Sequence, residues 1–519
     1  MKLNLKTICL GAFASCTLAA CDLDTTPTTS LDTSAVFQST DNADAVLRGV
    51  WYYMFNSGST YASVGLNSLL INDDFGGSDV VRARSYGFSS SYSLTNGFSR
   101  GEYNGVMWDI MYTAINNCNA VIANIDHVEG DGSEKNRIKG QALATRGYAY
   151  MMLASHYSFS IEKDPDAVCV PIWLEPSDYD SALHGIPASS VSEVYAQALS
   201  DLKDALDYIP ETYSHGSTST DQYKIDHLVT LGLLARTSLY AANWQDAYDY
   251  ADDVLATNSY IMTEDEFNGG FNDYTNGEWM WGLSPTLDDN LPAYTFYFKD
   301  TTTPGASYTS LCADPNFVNT AFEEGDYRKD MYRFGYTQQG QEYKMLCTKF
   351  RFADVENQMA DILLMRTSEM YLIKMEAAAH LSGKESEAQT MLQEFRQHRM
   401  KSGYTAAPVT ATGDDLLAEI WLERRKELWG EGFSLTDIIR TQQSVSRQQY
   451  MTQQYDTDGN PMYDKDGKPL EVNAGHTTLS LPDGTSFVAN SIYYLFRIPE
   501  QEELQNPDLY SRYPKSDLY

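Results

Sequence analysis

Two stretches of this chain follow the same plan, in which an apolar helical pattern stops at a short turn and then resumes. The first turn lies at 241–246 and is flanked by small or aliphatic residues: Leu231, Leu234, Ala235, Ala247, Ala251 and Val254. The second stretch, 371–399, passes through Ala377, Ala378, Ala379, Gly383 and Ala388. Spacings of three and four place these residues on one helix face, and small side chains let two helices cross closely. The pattern predicts a mainly α scaffold of helix pairs.

Helical patterning extends over 106–256 and 360–444, and its small residues at each crossing resemble tetratricopeptide packing. The period is not constant, so the pattern does not predict a regular repeat array. Three long segments break it, namely 56–104, 257–350 and 445–490. We expect irregular loops there, because a long aperiodic segment inside a domain is often functional.

The charge balance excludes some functions. The chain has 37 Lys and Arg against 71 Asp and Glu, a formal net charge of -34. Such a chain repels polyanions, so general nucleic-acid binding and attachment to anionic lipid through a basic patch are both excluded. It also carries 37 Tyr, 20 Phe and 8 Trp, so it is not a disordered acidic segment.

The N-terminus is typical of an exported chain. Lys2 and Lys6 precede an apolar run at 8–20, which suits a signal peptide and is too short to span a bilayer. The run ends in Leu-Ala-Ala-Cys21, which resembles a bacterial lipobox and implies cleavage before an acylated, for example palmitoylated, Cys21. An ordinary secretory signal is the alternative. We therefore expect a signal peptide at 1–20, a lipid-anchored tether at 21–40 and one domain at 41–519.

Four cysteines remain after that cleavage and the acylation of Cys21: Cys118, Cys169, Cys312 and Cys347. An exported compartment permits disulfides, and four cysteines allow three pairings, but four buried free thiols are equally compatible with the sequence. No Cys-x-x-Cys or Cys/His cluster indicates zinc, and we expect no cofactor.

The segment 445–490 contains two Asp-x-Asp-Gly motifs, beginning at Asp456 and Asp464. The spacing is compatible with structural calcium, but Pro461 and Pro469 break the pattern of an EF-hand loop. Asp-Gly is also a strong hairpin signal, so we expect two small β-hairpins and keep a metal site as the alternative.

Three C-terminal segments carry a family resemblance. Residues 362–376 read ILLMRTSEMYLIKME, 420–440 read IWLERRKELWGEGFSLTDIIR and 498–507 read IPEQEELQNP. Together with the lipobox they resemble the SusD/RagB family of Bacteroidota outer-membrane lipoproteins, although Ser434 and Leu435 stand where that family often has an arginine and an aromatic residue. The resemblance implies a SusD-like fold and a cell-surface, outer-membrane glycan-binding protein, not an enzyme. It also implies a SusC-like TonB-dependent transporter as the partner that receives the glycan.

The same segments are rich in charge, which admits two interpretations. The charged residues lie on helices with opposite signs three or four apart: Arg366, Glu369, Glu423, Arg424, Arg425, Glu427, Glu431 and Asp437. A pair of carboxylates is what a glycosidase uses. We favour an ion-pair network that fixes the helices, because each carboxylate has an arginine nearby.

Aromatic residues on the irregular loops are the candidates for glycan contact, because sugar C–H faces rest on rings while hydroxyls pair with polar side chains. The predicted ligand-binding residues are Asp73, Arg82, Tyr86, Tyr92, Phe98, Trp279, Trp281 and Tyr294. Arg82, Arg84 and Arg100 form a hypothetical contact for a uronate, sialate or sulfate group. The helical aromatics Trp108, Tyr112, Trp421 and Trp429 are assigned to the core.

Two other functions stay open at the sequence level. A peptide-binding, RagB-like importer subunit would use a deep cleft and backbone pairing in place of an aromatic platform. A surface-anchored hydrolase would release product from a bound glycan, which a binding protein would not.

Overall fold

The computed structural model describes residues 36–58, 63–84, 87–96, 102–176, 185–215, 223–287, 298–303, 311–337 and 342–514. The predicted signal peptide at 1–20, Cys21 and most of the tether at 21–40 lie outside these residues. Among the residues that are described, no helix is both long and apolar enough to cross a bilayer.

Helices form most of the regular structure. They are α1 (Thr40–Asn56), α2 (Gly65–Gly76), α3 (Ser89–Tyr92), α4 (Glu102–Asn124), α5 (Gly132–Tyr157), α6 (Val191–Tyr208), α7 (His227–Tyr240), α8 (Trp244–Thr257), α9 (Glu264–Phe267), α10 (Pro315–Ala321), α11 (Thr367–His380), α12 (Glu385–His398), α13 (Gly413–Glu427), α14 (Ser434–Arg440) and α15 (Glu500–Gln505). The predicted mainly α scaffold is confirmed.

The strands are short. They are β1 (Val80–Arg82), β2 (Val168–Pro171), β3 (Ala188–Ser190), β4 (Trp279–Leu283), β5 (Leu311–Ala313), β6 (Tyr332–Tyr336), β7 (Tyr343–Cys347), β8 (Ile362–Arg366), β9 (Met451–Gln453) and β10 (Glu471–Asn473). An antiparallel sheet has the strand order β1-β5-β7-β6, and three two-stranded antiparallel sheets pair β2 with β3, β4 with β8, and β9 with β10.

The two predicted helix pairs are present. Helices α7 and α8 are joined by a tight turn in which Ala242 has a φ of 52°, and α8 packs on α11, the first helix of the second pair. The Trp244 ring stacks on His380 of α11, with centroids 3.7 Å apart and planes 4° from parallel. The helices of each pair therefore pack together as the small residues predict. The stack of Trp244 on His380 joins the first pair to the second.

The prediction of an irregular loop at 56–104 was wrong in part. Helix α2 occupies 65–76 and is buried almost all round, so it has no polar face that alternates with an apolar one. Its buried polar residues, Asn72, Asp73 and Asp74, break the apolar pattern further. The segment 257–350 likewise contributes β4 to β7. A helix or strand that is buried on every side leaves little periodic signal in the sequence.

The two hairpins predicted at 445–490 are confirmed. Isolated bridges join Tyr455 to Pro461 and Tyr463 to Pro469. Each turn is held by its first aspartate, as when Asp456 Oδ1 accepts hydrogen bonds from the backbone N–H groups of Asp458 (2.9 Å) and Asn460 (2.8 Å). The carboxylates that resemble calcium ligands thus cap their own turns.

The four cysteines are buried and unpaired, so the alternative of free thiols is the one that the structure supports. Burial raises the pKa of the Cys118 and Cys169 thiols to about 12.

A buried network of charges joins β8 to the C-terminal helices. Glu427 accepts hydrogen bonds from Arg366 (2.7 Å), Arg399 (2.7 Å) and Arg328 (2.8 Å), and none of these four side chains is more than 1% exposed. Burial alone would raise the pKa of Glu427, but the three guanidinium groups outweigh it and hold that pKa well below its usual range. The predicted ion-pair network is confirmed.

We expect Glu427→Gln to lower the free energy of unfolding by roughly 3–5 kcal/mol, because it removes the buried counter-charge that Arg366, Arg399 and Arg328 share. Urea unfolding followed by circular dichroism measures this. The matched control is Glu419→Gln, whose side chain is 36% exposed and pairs with Arg396 at 2.7 Å. That change is expected to cost less than about 1 kcal/mol. Equal losses in the two variants would contradict a central role for Glu427.

Candidate functional site

The structure places Asp73 in the interior, away from any surface platform. Its carboxylate accepts hydrogen bonds from the backbone N–H groups of Leu435 (3.0 Å) and Thr436 (3.1 Å), at the start of α14. Burial, with the nearby charges of Asp74 and Asp437, raises the pKa of Asp73 well above its usual range. Asp73 therefore fixes α2 to α14 and is not available to a ligand at the surface.

Arg82 and Tyr92 are brought together. The Arg82 guanidinium lies 5.1 Å from the centre of the Tyr92 ring and donates a hydrogen bond to Ser89 Oγ at 2.7 Å. The Tyr92 ring is fully buried and stacks on His476, and its hydroxyl lies 3.0 Å from His476 Nδ1. Arg82 is only partly buried and stays a candidate for ligand contact, whereas Tyr92 is a core residue that supports it.

Three of the predicted ligand-binding residues, Tyr86, Phe98 and Tyr294, lie outside the described residues, as does Arg100. Arg84 is partly buried. Burial raises the pKa of Glu342, and the charges of Lys344, Arg84 and Arg82 only partly offset that effect. The structure thus groups two of the predicted arginines around one carboxylate.

Trp279 and Trp281 share strand β4 but have different environments. Trp281 is 1% exposed, packs edge-on against Trp51 and Tyr148, and donates its Nε1–H to the Tyr223 carbonyl oxygen at 2.8 Å. Trp279 is 9% exposed, and its Nε1–H has no hydrogen-bond partner among the described residues. Both residues are buried, and only the Trp281 Nε1–H has a hydrogen-bond partner among the described residues.

Both tryptophans line an open cavity of about 410 Å³, which we call the tryptophan pocket. Its other walls include Ser214, His215, Asp226, Leu228, Tyr274, Thr275, Asn276, Met280 and Gly282. Ser214 and Thr275 are exposed, and Tyr274 and Asn276 are half-buried. His215 Nδ1 lies 2.8 Å from Asp226 Oδ2, so one carboxylate orients the imidazole. Its lining thus combines aromatic residues with hydroxyl and amide groups, a combination that is typical of sites for small polar ligands.

Most residues of this pocket were not among those predicted from the sequence. Tyr274, Thr275 and Asn276 directly precede Trp279 in the Asn- and Gly-rich insertion, so their proximity to the predicted residues was a usable signal. His215 and Asp226 had no such signal, because they lie more than fifty residues before Trp279 in the sequence.

A second aromatic surface, which we call the tyrosine ridge, was also missed. It consists of Phe334, Tyr336, Tyr343, Tyr450 and Tyr455, whose rings contact one another at centroid distances of 5.3–6.5 Å. Tyr336 donates its hydroxyl hydrogen to the Tyr455 carbonyl oxygen at 2.7 Å, which ties the β6–β7 hairpin to the first Asp-Gly hairpin. Tyr455 is 38% exposed, so part of the ridge faces solvent.

The carboxylates of the C-terminal motif are engaged by cations. Arg366 pairs with Glu278 and Glu431 as well as Glu427, and Glu369 pairs with Arg236 of α7. Arg424 pairs with Asp437 at 2.7 Å. The sequence predicted the network but not the participation of Arg236, Arg328 or Arg399. These arginines are far in sequence from their carboxylate partners, so no helical spacing relates them.

Comparison with known proteins identifies relatives over almost the whole chain. A family model described as the SusD family matches residues 318–515, and another, described as starch-binding and associating with the outer membrane, matches 71–239. A solved SusD-like carbohydrate binding protein from Bacteroides vulgatus is 44% identical, with a TM-score of 0.83 over 93% of this chain and 100% of that one.

Two more distant relatives extend the comparison. A curated SusD-like protein of Formosa agariphila is 23% identical over 388 residues, which are 66% of this chain and 73% of its own length. A laminarin binding SusD-like protein has 18% identity and a TM-score of 0.62 over 78% of this chain and 92% of its own. At 18% identity, the similarity to the laminarin binding protein is evidence for a shared fold only.

We expect the buried His476 to make stability depend on pH. Its Nε2 lies 2.9 Å from the Ser78 carbonyl oxygen, and burial, with the charge of Arg447, lowers its pKa from 6.5 to about 3. As pH falls below 6.5, the unfolded chain therefore takes up a proton that the folded chain refuses, and stability is lost. The excess stability of the wild type over His476→Gln is expected to shrink by roughly 2 kcal/mol between pH 7 and 4.5.

Urea unfolding of both proteins across that pH range measures the difference. His398→Gln, at an exposed position on α12, is the matched control and is expected to show no such change. A constant difference between wild type and His476→Gln would contradict the neutral buried ring.

Proposed function

This chain belongs to the SusD family, and on that premise we propose that it captures an oligosaccharide or polysaccharide at the cell surface and delivers it to a SusC-like TonB-dependent transporter. The observation that carries the proposal is the tryptophan pocket, an open cavity of about 410 Å³ with aromatic and polar walls. Such a cavity is large enough for a short stretch of glycan.

The N-terminal sequence supplies the anchor in this proposal. Cleavage before Cys21 and acylation of its thiol and amine would hold the domain at the outer membrane through several acyl chains, which a stable anchor requires. The segment at 21–40 then acts as a tether that lets the domain reach the partner barrel. The match to a family described as associating with the outer membrane supports this location.

In this proposal the pocket binds a sugar through apolar contacts and through hydrogen bonds. Trp279 and the half-buried Tyr274 offer apolar surface to the C–H face of a sugar ring. Thr275 and Asn276 offer donors and acceptors to its hydroxyls. Shallow aromatic contacts release a ligand quickly, and quick release suits transfer to a transporter.

The ionic network supports binding and not hydrolysis as the role of this chain. A glycosidase needs one carboxylic acid with a raised pKa and a second carboxylate, both facing substrate. In the charged C-terminal segment 420–440, arginine and lysine side chains lower the pKa values of Glu427 and Glu431 although both carboxylates are buried. They lower the pKa of Glu423 to about 2. These carboxylates hold helices together.

We expect Tyr274→Ala to weaken glycan binding about fivefold to tenfold. The change removes a stacking surface, and such a contact is worth about 1–1.4 kcal/mol. Retardation in native gels that contain laminarin or starch, followed by calorimetric titration of the glycan that binds, measures this effect.

Tyr52→Ala is the matched control, since Tyr52 is a 56% exposed tyrosine of α1 outside both aromatic surfaces. Tyr455→Ala tests the tyrosine ridge in the same gels. If only Tyr455→Ala weakens binding, the ridge and not the pocket is the glycan site. Binding of peptides in place of every glycan tested would overturn the proposed function, and release of shortened glycan would indicate a hydrolase.

A further inference from the structure

A cavity of about 290 Å³ lies between α13 and α14 and shares no residue with the tryptophan pocket. Ala418, Trp421, Leu422 and Arg425 line it from α13. Spacings of three and four place these residues on one face of the helix. Each of them is half-buried or exposed, so solvent reaches the wall that they form. The volume is near the lower limit of small-molecule sites and suits one sugar ring.

Trp421 gives the cavity an aromatic wall that is fixed in place. The helical pattern of the sequence assigned this residue to the core, but it is only half-buried. Its Nε1–H donates to Glu376 Oε1 at 2.9 Å, and Glu376 in turn accepts hydrogen bonds from Arg440 Nη1 (2.6 Å) and Nη2 (3.0 Å). An indole that is held in this way loses little conformational freedom when a sugar C–H face packs on it.

Polar groups line the same cavity from the chain that follows α14. Thr441 and Ser444 are half-buried, and Gln443 is exposed. The two hydroxyl groups donate to the carbonyl oxygens of Asp437 (2.7 Å) and Val445 (3.0 Å), so each hydroxyl oxygen keeps a lone pair that can accept from a sugar hydroxyl. The side-chain amide of Gln443 offers both a donor and an acceptor.

The charges that line the cavity are paired with one another. Asp79 accepts from Arg425 Nε (2.8 Å) and Nη2 (2.6 Å), and Asp437 pairs with Arg424 (2.7 Å) and Arg440 (2.6 Å). A carboxylate on the ligand would bring a further negative charge close to both aspartates, so a neutral ligand is favoured. Arg425 is 43% exposed, and its Nη1 makes no hydrogen bond to the described residues, so it can donate to a hydroxyl.

We propose that this cavity binds one neutral hexose ring, with the C–H face of the sugar on Trp421 and its hydroxyls on Gln443 and Arg425. The choice of a sugar rests on the proposed glycan function, whereas its neutrality rests on the paired charges. Because the cavity suits a single ring, the hexose is either the end of a glycan chain or a free monosaccharide. All three contacts use side chains that are half-buried or exposed.

Fluorine NMR of the mature chain labelled with 5-fluorotryptophan tests the proposal, and Trp421→Phe assigns the resonance of Trp421. We expect D-glucose, D-galactose or D-mannose to move that resonance with a dissociation constant of about 1–10 mM, a range that suits a ligand of this size. D-glucuronate is expected to bind no more tightly than the best of these hexoses. Tighter binding of D-glucuronate than of every hexose would overturn the neutral site.

Two pairs of variants locate the ligand. Ala418→Phe adds a ring at an exposed position of the lining and is expected to weaken the hexose effect on Trp421 at least tenfold. Ala256→Phe, the same change at an exposed position of α8, is its control and is expected to leave binding unchanged. Gln443→Ala is expected to weaken binding about fivefold, because it removes a hydrogen-bonding amide. Gln449→Ala, at an exposed position outside the lining, is its control.

The outcomes separate this inference from the proposed function. Retention in laminarin or starch gels with no shift of Trp421 in any hexose would overturn the site and leave the glycan function standing. A shift of Trp421 without retention in any glycan gel would uphold the site and count against glycan capture. An equal hexose effect in Ala418→Phe and the wild type would place the ligand elsewhere and overturn the site. Binding of the methyl glycoside of the same hexose would support a chain end as the ligand, and its failure to bind would support the free sugar, with the hexose contact upheld in both cases.

Discussion

The carboxylate of Glu427 holds three guanidinium groups that come from separate parts of the chain. Arg328 lies before β6, Arg366 ends β8 and Arg399 follows α12, so one side chain joins the sheet region, the β4–β8 pair and the last helix pair. A buried group of this kind has a large desolvation penalty, which only well-placed partners offset. Its geometry therefore ties these elements to one relative arrangement, and the candidate sites are built around that arrangement.

Residues in the interior and residues at the edges of the helices and strands have different roles. The helix pairs and their ion pairs position elements, and aromatic residues such as Trp281 and Tyr92 lie in the core beside them. The residues that a ligand can reach sit on the edges of the same elements. Trp279 is two positions from Trp281 on β4, yet only the Trp281 Nε1–H has a hydrogen-bond partner among the described residues. Neighbouring residues of one type thus have different surroundings.

The sequence predicted the helical scaffold well because its periodicity is local. The helix pairs and the two Asp-Gly hairpins are confirmed, as are the SusD-like fold and family resemblance. Helix α2 was missed because burial on every side removes the periodic signal. Irregular segments also made Asp73 and Tyr92 look like loop residues, whereas long-range hydrogen bonds to Leu435 and His476 hold them inside. Such contacts depend on tertiary packing and leave no trace in local spacing.

The four buried thiols have a consequence for how this chain matures. Because burial raises their pKa to about 12, Cys118, Cys169, Cys312 and Cys347 stay protonated and are poor nucleophiles in the folded protein. No covalent cross-link between them stabilises the described fold, so its stability comes from packing and ion pairs. Folding of the described domain then has no thiol-oxidation step to wait for, and the folded domain keeps its shape whether its surroundings are reducing or oxidising.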